Sequence, residues 1–79
     1  MPQYIHVVLK NGTSSQHVYH ATDDVLHKSA LNDQPLAPGE TASITLVADE
    51  NGHGEMTYGY SGGVDTSSTD LNDGDEVDG

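Results

Sequence analysis

Apolar side chains alternate with other residues near the start of the chain. Ile5, Val7 and Leu9 occupy every second position there. Because successive side chains of a strand point to opposite faces of its sheet, this spacing predicts a strand with these three residues on its buried face. The Asn11-Gly12 dipeptide follows, and it is the strongest short-range signal for a two-residue hairpin turn. The chain is therefore predicted to begin with a β-hairpin.

The predicted hairpin fixes which residues of its two strands face each other. If the turn has two residues, the second strand covers residues 14–21 and His6 lies opposite His17. Ile5 then lies opposite Val18, so that Val18 joins the buried face. A different loop length would change this pairing, since moving one strand by one residue reverses its two faces.

The clearest strand pattern of the chain covers residues 41–49. One face of this segment carries Ala42, Ile44, Leu46 and Ala48, and the other carries Ser43, Thr45 and Val47. Such alternation is typical of a half-buried strand. The first of these faces is predicted to point to the interior.

A second hairpin is predicted after this strand. Met56 and the tyrosines at the two following alternate positions form the next apolar stripe. A two-residue turn at Asn51-Gly52 would set that stripe against the polar side of the preceding strand, whereas a five-residue loop pairs Leu46 with Met56. Burial usually decides register, so the longer loop is expected.

The segment between the hairpins has two interpretations. Residues 23–31 predict either one short helix or a turn followed by a short strand. Asp23 can accept hydrogen bonds from the first N–H groups of a helix, and Lys28 suits its later turns. So short a helix is only marginally stable on its own, and the two alternatives stay open.

These segments predict a small all-β domain over residues 1–64. It is expected to be an antiparallel sandwich or an open, barrel-like sheet built from two hairpins. Only 33% of the chain is hydrophobic and it has no Cys, Trp or Phe, so the core is small and disulfides are excluded. The predicted core residues are Ile5, Val7, Leu9, Val18, Val25, Leu26, Leu31, Leu36, Ile44, Leu46, Met56, Tyr58 and Tyr60.

The end of the chain is dominated by acidic residues. Residues 65–79 contain six acids and no basic residue, and the whole chain has a formal net charge of -11. Segments with so few apolar residues and so much charge do not usually fold alone. Residues 65–79 are therefore predicted to be an acidic flexible tail.

Charge also restricts the partners of the molecule. The predicted body has seven acidic residues against Lys10 and Lys28. Such a surface is repelled by nucleic-acid phosphates and by anionic lipid, which argues against direct binding to nucleic acid or membrane. It favours a non-enzymatic interaction protein that docks a basic protein surface, in its sharpest form an inhibitor that mimics nucleic acid. The candidate contact residues are Asp23, Asp24, Asp49, Glu50, Glu55, Asp70, Asp73, Asp75 and Glu76.

A divalent-cation-binding module is the first alternative function. His6 and His17, if opposite each other, would supply two imidazole ligands for zinc, nickel or copper. The oxygen-rich residues 70–75 could associate weakly with calcium, although Gly74 is misplaced for an EF-hand loop. No other cofactor is expected.

A structural β-sandwich module, acting as a homo-oligomer, is the second alternative. Small domains without disulfides often gain stability from a partner chain. Enzymatic activity is not expected, because the sequence contains no nucleophile-elbow, phosphate-loop or metallohydrolase motif. The first residues do not resemble a secretory leader, so a cytoplasmic location is predicted, with a mature secreted form as the alternative.

Overall fold

Two β-sheets packed face to face make up the part of the chain that the computed structural model describes, residues 3–79. The strands are β1 Tyr4–Lys10, β2 His17–Asp23, β3 Lys28–Leu36, β4 Thr41–Val47, β5 Gly54–Tyr60, β6 Thr66–Leu71 and β7 Glu76–Asp78. One sheet has the order β4-β1-β7 and the other the order β3-β2-β5-β6. Neighbouring strands are antiparallel except β1 and β7, which are parallel. The predicted all-β sandwich is confirmed.

The core lies between the two sheets and is formed by alternate residues of their strands. Its buried apolar residues are Ile5, Val7, Leu9, Tyr19, Ala21, Leu36, Ala42, Ile44, Leu46, Val47, Met56, Tyr58, Leu71 and Val77. The predicted inward faces of β1 and β4 are confirmed, as are Met56 and Tyr58 of β5. Burying a large aliphatic side chain contributes about 1.5–3 kcal/mol, so these positions supply most of the favourable free energy of folding.

The prediction of a hairpin at Asn11-Gly12 is wrong. β1 pairs with β4, where His6 lies opposite Thr45, while β2 belongs to the other sheet. The segment after β1 therefore carries the chain from one sheet to the other. The physical reason is that Asn11 is fully buried and hydrogen-bonded inside the fold, instead of being exposed at the tip of a turn.

Loss of that hairpin reverses the expected faces of β2. Tyr19 and Ala21 are buried, whereas Val18 is 37% exposed. Moving a strand by one residue exchanges its two faces, and β2 follows the register set by β3 and β5 instead of β1. The prediction of Val18 as a core residue is therefore wrong.

The second predicted hairpin is also absent, although its inward faces are correct. β4 and β5 lie in opposite sheets, and β5 pairs with β2 and β6. Met56 lies opposite Asp23, and Tyr58 lies opposite Ala21, instead of opposite residues of β4. The two apolar stripes still meet, because they line the same interior from its two sides.

The predicted short helix at residues 23–31 is wrong, and the alternative of a turn and a strand is confirmed. The chain turns over residues 24–27 and enters β3 at Lys28. His27 has a φ of 58°, in the left-handed region, which stops a helix from continuing. This turn also leaves Leu26 46% exposed, so its predicted core position is wrong. Residues 3–79 form no helix that could cross a membrane.

The last fifteen residues differ from the expected flexible tail. They form β6, at the edge of the four-stranded sheet, and β7, beside β1. Leu71 and Val77 are 6% and 8% exposed and belong to the core. Two apolar residues thus hold in the core a segment whose charge predicts disorder. Both sheets include strands from beyond residue 64.

Asn11 is the buried polar residue that joins the connections at one end of the sandwich. Its side-chain Nδ2 donates hydrogen bonds to the backbone oxygens of Ser15 and Leu36, both at 2.8 Å. Its Oδ1 accepts hydrogen bonds from the N–H and hydroxyl of Thr13 and from the hydroxyl of Tyr19. The amide therefore ties the segment after β1 to both β2 and β3.

Replacing Asn11 with alanine tests this role. Asn11→Ala leaves buried groups of Tyr19 and Leu36 without their partner, so we expect the free energy of unfolding to fall by about 2–4 kcal/mol. The matched control is Asn51→Ala, because Asn51 also precedes a glycine but is exposed. This control should change stability by less than about 0.5 kcal/mol in urea denaturation. Equal stabilities for the two variants would contradict the role of Asn11.

Charge substitution at Val77 tests whether the acidic end of the chain is part of the core. Val77→Asp buries an unpaired carboxylate, and we expect a loss of at least about 3 kcal/mol in thermal denaturation. Val64→Asp adds the same charge at a side chain that is 91% exposed and should shift stability by less than about 0.5 kcal/mol. If Val77→Asp melts like Val64→Asp, β7 is not docked in solution.

Candidate functional site

Most of the acidic residues meet at one end of the sandwich. The connections of residues 24–27, 48–53 and 72–75 lie at this end, together with the adjoining ends of β2, β5 and β6. We call it the acidic end; its carboxylates are Asp23, Asp24, Asp49, Glu50, Glu55, Asp70, Asp73 and Asp75. These are eight of the thirteen acidic residues of the chain.

The topology, more than the sequence, brings these carboxylates together. They come from three separate stretches, residues 23–24, 49–55 and 70–75, and the stretches converge because β2, β4 and β6 all end here. Among the candidate contact residues, Glu76 alone lies elsewhere. It belongs to β7 and lies opposite Val8 of β1. Lys28 is also at the acidic end, beside Asp23, whereas Lys10 lies towards the opposite end of the sandwich.

Asp23 stabilises the acidic end from inside. Its side chain is buried, with 3% exposure, although it carries a carboxylate. Oδ1 accepts hydrogen bonds from the N–H groups of Val25 and Leu26 in the turn after β2. Oδ2 accepts one from the N–H of Val47 at 2.9 Å, in the other sheet. Asp23 therefore links the two sheets and offers little surface to a partner.

Asp49 shapes the connection between β4 and β5. Its Oδ1 accepts hydrogen bonds from the N–H groups of Asn51 at 2.9 Å and His53 at 3.0 Å. These bonds, that from His53 above all, favour the charged carboxylate and lower the pKa of Asp49. The loop is consequently held by an ionised side chain at neutral pH.

Asp73 ties the connection between β6 and β7 to β1. Its Oδ1 accepts a hydrogen bond from the backbone N–H of His6 at 2.8 Å and lies 3.3 Å from the His6 ring Nδ1. The backbone bond, aided by the ring, lowers the pKa of Asp73. The same connection is closed by Asp75, whose Oδ2 accepts the N–H of Asn72 at 2.8 Å.

The remaining carboxylates of the acidic end divide into one that is engaged and three that are not. Asp24 Oδ2 accepts a hydrogen bond from the Thr57 hydroxyl at 2.7 Å. The side chains of Glu50, Glu55 and Asp70 have no hydrogen bond or ion pair with another described residue. These three carboxylates are the ones at this end that a partner can contact without breaking an internal bond.

The histidines do not form the predicted pair. His6 lies in the sheet of β1, whereas His17 lies in the other sheet, where its ring stacks on Tyr60 with centroids 3.8 Å apart. His20 instead meets Asp65, with 2.7 Å between Nε2 and Oδ1. No three His, Asp or Glu side chains among residues 3–79 are arranged to hold a metal ion.

One apolar side chain stands among the carboxylates of the acidic end. Leu26, at the turn between β2 and β3, is 46% exposed. Residues 3–79 enclose no pocket, so their surface at this end consists of short loops and strand ends.

Comparison with protein-family models, with curated proteins and with solved structures gives no match for this chain.

The two lowered pKa values give a pH test of the acidic end. The folded-state pKa of Asp49 and of Asp73 is lowered. Each carboxylate therefore stabilises the fold at pH values above its unfolded-state pKa of about 3.9. That contribution to stability is lost as the pH falls through the folded-state pKa of the carboxylate. We expect NMR titration to place both carboxylates below the value of an aspartate in an unstructured peptide.

The matched variants are Asp49→Asn and Asp73→Asn, which keep an oxygen acceptor but remove the charge. Each should flatten the fall in stability below about pH 4 relative to the unmodified protein. Titration of either carboxylate at or above the ordinary aspartate value would contradict the hydrogen bonds described at this end.

Proposed function

We propose that the protein is a non-enzymatic docking protein whose acidic end binds a basic surface on a protein partner. The observation that carries the proposal is the convergence of eight carboxylates, from three separate stretches of chain, on one end of the sandwich. A concentrated field of one sign attracts a complementary surface and speeds its association. The same field repels nucleic acid and anionic membranes.

Rigid support for the charges adds to the proposal. Asp23, Asp49 and Asp73 hold their loops by hydrogen bonds to backbone N–H groups. Loops fixed before binding lose less conformational entropy when a partner docks. Glu50 and Glu55 are thus presented from an ordered support, and Leu26, exposed in the turn of residues 24–27 at the same end, offers an apolar contact to a partner.

The sharper form of the proposal is an inhibitor that mimics nucleic acid. A mimic must hold its negative charges at fixed positions on a folded body, so that they match the spacing of phosphates. Residues 65–79 contribute Asp70 from β6 and Asp73 and Asp75 from the connection between β6 and β7. Because a strand and hydrogen-bonded side chains fix the positions of these carboxylates, a basic nucleic-acid-binding protein is the partner class that we favour.

Two matched triple variants test where the partner binds. Glu50→Gln, Glu55→Gln and Asp70→Asn together remove three of the eight charges of the acidic end without removing an internal hydrogen bond. Asparagine also tolerates the left-handed φ of 57° at Asp70. The control combines Asp33→Asn, Glu76→Gln and Asp78→Asn, which neutralise as many charges elsewhere on the surface.

The affinity of a partner, first captured on the immobilised protein, should differ between the two variants. We expect the variant of the acidic end to lose at least about tenfold in affinity at low salt, because three exposed charge pairs contribute about 0.5 kcal/mol or more each. The control should lose less than about twofold in affinity. Added salt should weaken partner binding most for the unmodified protein. Equal losses in the two variants would show that net charge alone, and not the acidic end, binds the partner.

A further inference from the structure

The chain contains two Asn-Gly steps that the fold treats in opposite ways. They are Asn11-Gly12 and Asn51-Gly52. An asparagine before glycine is chemically labile, because the missing glycine side chain lets the next backbone nitrogen approach the asparagine side-chain carbonyl carbon. We propose that Asn51 is a site of spontaneous deamidation in the folded protein and that Asn11 is protected.

Burial and hydrogen bonding protect Asn11. Its carboxamide is fully buried, and both its nitrogen and its oxygen are hydrogen-bonded. The amide cannot rotate towards the nitrogen of Gly12 without breaking those bonds. That nitrogen also donates a hydrogen bond to the carbonyl oxygen of Gly79 at 3.2 Å. Reaction at Asn11 consequently requires the end of the sandwich to open.

Asn51 has none of this protection at its side chain. It is exposed, and its carboxamide has no hydrogen bond with another described residue. The reacting nitrogen of Gly52 donates a single turn hydrogen bond, to the carbonyl oxygen of Asp49 at 3.0 Å. Surface turns of this kind open far more readily than a core, so the nitrogen is released by a local fluctuation.

The reaction needs only water and proceeds in two steps. The deprotonated backbone nitrogen of Gly52 attacks the side-chain carbonyl carbon of Asn51, which closes a five-membered succinimide ring and expels ammonia. Water then opens the ring at either carbonyl group. The product is aspartate, or isoaspartate in which the chain runs through the former side chain. In both products a carboxylate replaces the neutral amide.

The modification places a further negative charge at the acidic end. Asn51 lies in the connection of residues 48–53, next to Glu50. Isoaspartate would also lengthen the backbone inside the turn that Asp49 closes. The acidic end would then slowly change both its charge and its loop geometry with the age of the protein.

The test follows the folded protein during incubation in mildly alkaline buffer. Peptide mass spectrometry should show the mass gain of amide-to-acid conversion in the peptide that contains Asn51, with isoaspartate among the products. Asn11 in the same sample should react at least about tenfold more slowly, because its reaction depends on a much larger opening. In concentrated urea, where the fold is lost, the Asn11-Gly12 and Asn51-Gly52 sites should react at similar rates.

The matched control is Asn51→Gln, which removes the favourable five-membered ring and should abolish the new acidic species in ion-exchange chromatography. Two results would overturn the proposal. One is conversion of Asn11 as fast as that of Asn51 in the folded protein. The other is an Asn51 that stays unmodified in the folded protein over an incubation time that converts both Asn-Gly sites in urea.

Discussion

The structure depends on two buried polar side chains, one near each end of the sandwich, whose hydrogen bonds join the connections to the strands. Asn11 does this at one end and Asp23 at the other, and each links elements of both sheets or their connections. A buried polar group is stabilising only when it is satisfied, and both are. Their geometry fixes how the chain passes between the sheets, and so it fixes where the loops lie.

The acidic end follows from this arrangement. Asp23 anchors the end of β2 to the end of β4, which brings the connection of residues 24–27 beside that of residues 48–53. Asp73 adds the connection between β6 and β7 through His6. The carboxylates of this end therefore fall into two groups. Some accept backbone hydrogen bonds and fix the loops, while Glu50, Glu55 and Asp70 make no internal hydrogen bond and are the contacts that we propose for a partner.

The sequence predicted the inward faces of β1, β4 and β5 correctly, but it predicted the wrong neighbouring strands and the wrong face of β2, for a physical reason. Alternation specifies which side of a strand is buried, so the inward residues of β1 and β4 could be predicted, but it does not specify the neighbouring strand. Burial of Tyr19 depends on its hydrogen bond to Asn11, which no local pattern reveals. In β6 the register shifts opposite β5, and Asp70 adopts a left-handed φ, so the alternation that would mark a strand is interrupted. The acidic candidates were identifiable one by one, yet their convergence required the topology.

Amide hydrogen exchange of the last fifteen residues tests most directly whether they belong to the sandwich and hold their carboxylates in place. The N–H of Gly74 donates to the carbonyl oxygen of His6, and that of Gly79 donates to Lys10, both at 2.7 Å. We expect these two amides to exchange slowly, like those in the interior of β1. Exchange at the rate of an unstructured peptide across residues 65–79 would contradict the docked β7 and, with it, the acidic end as a defined surface.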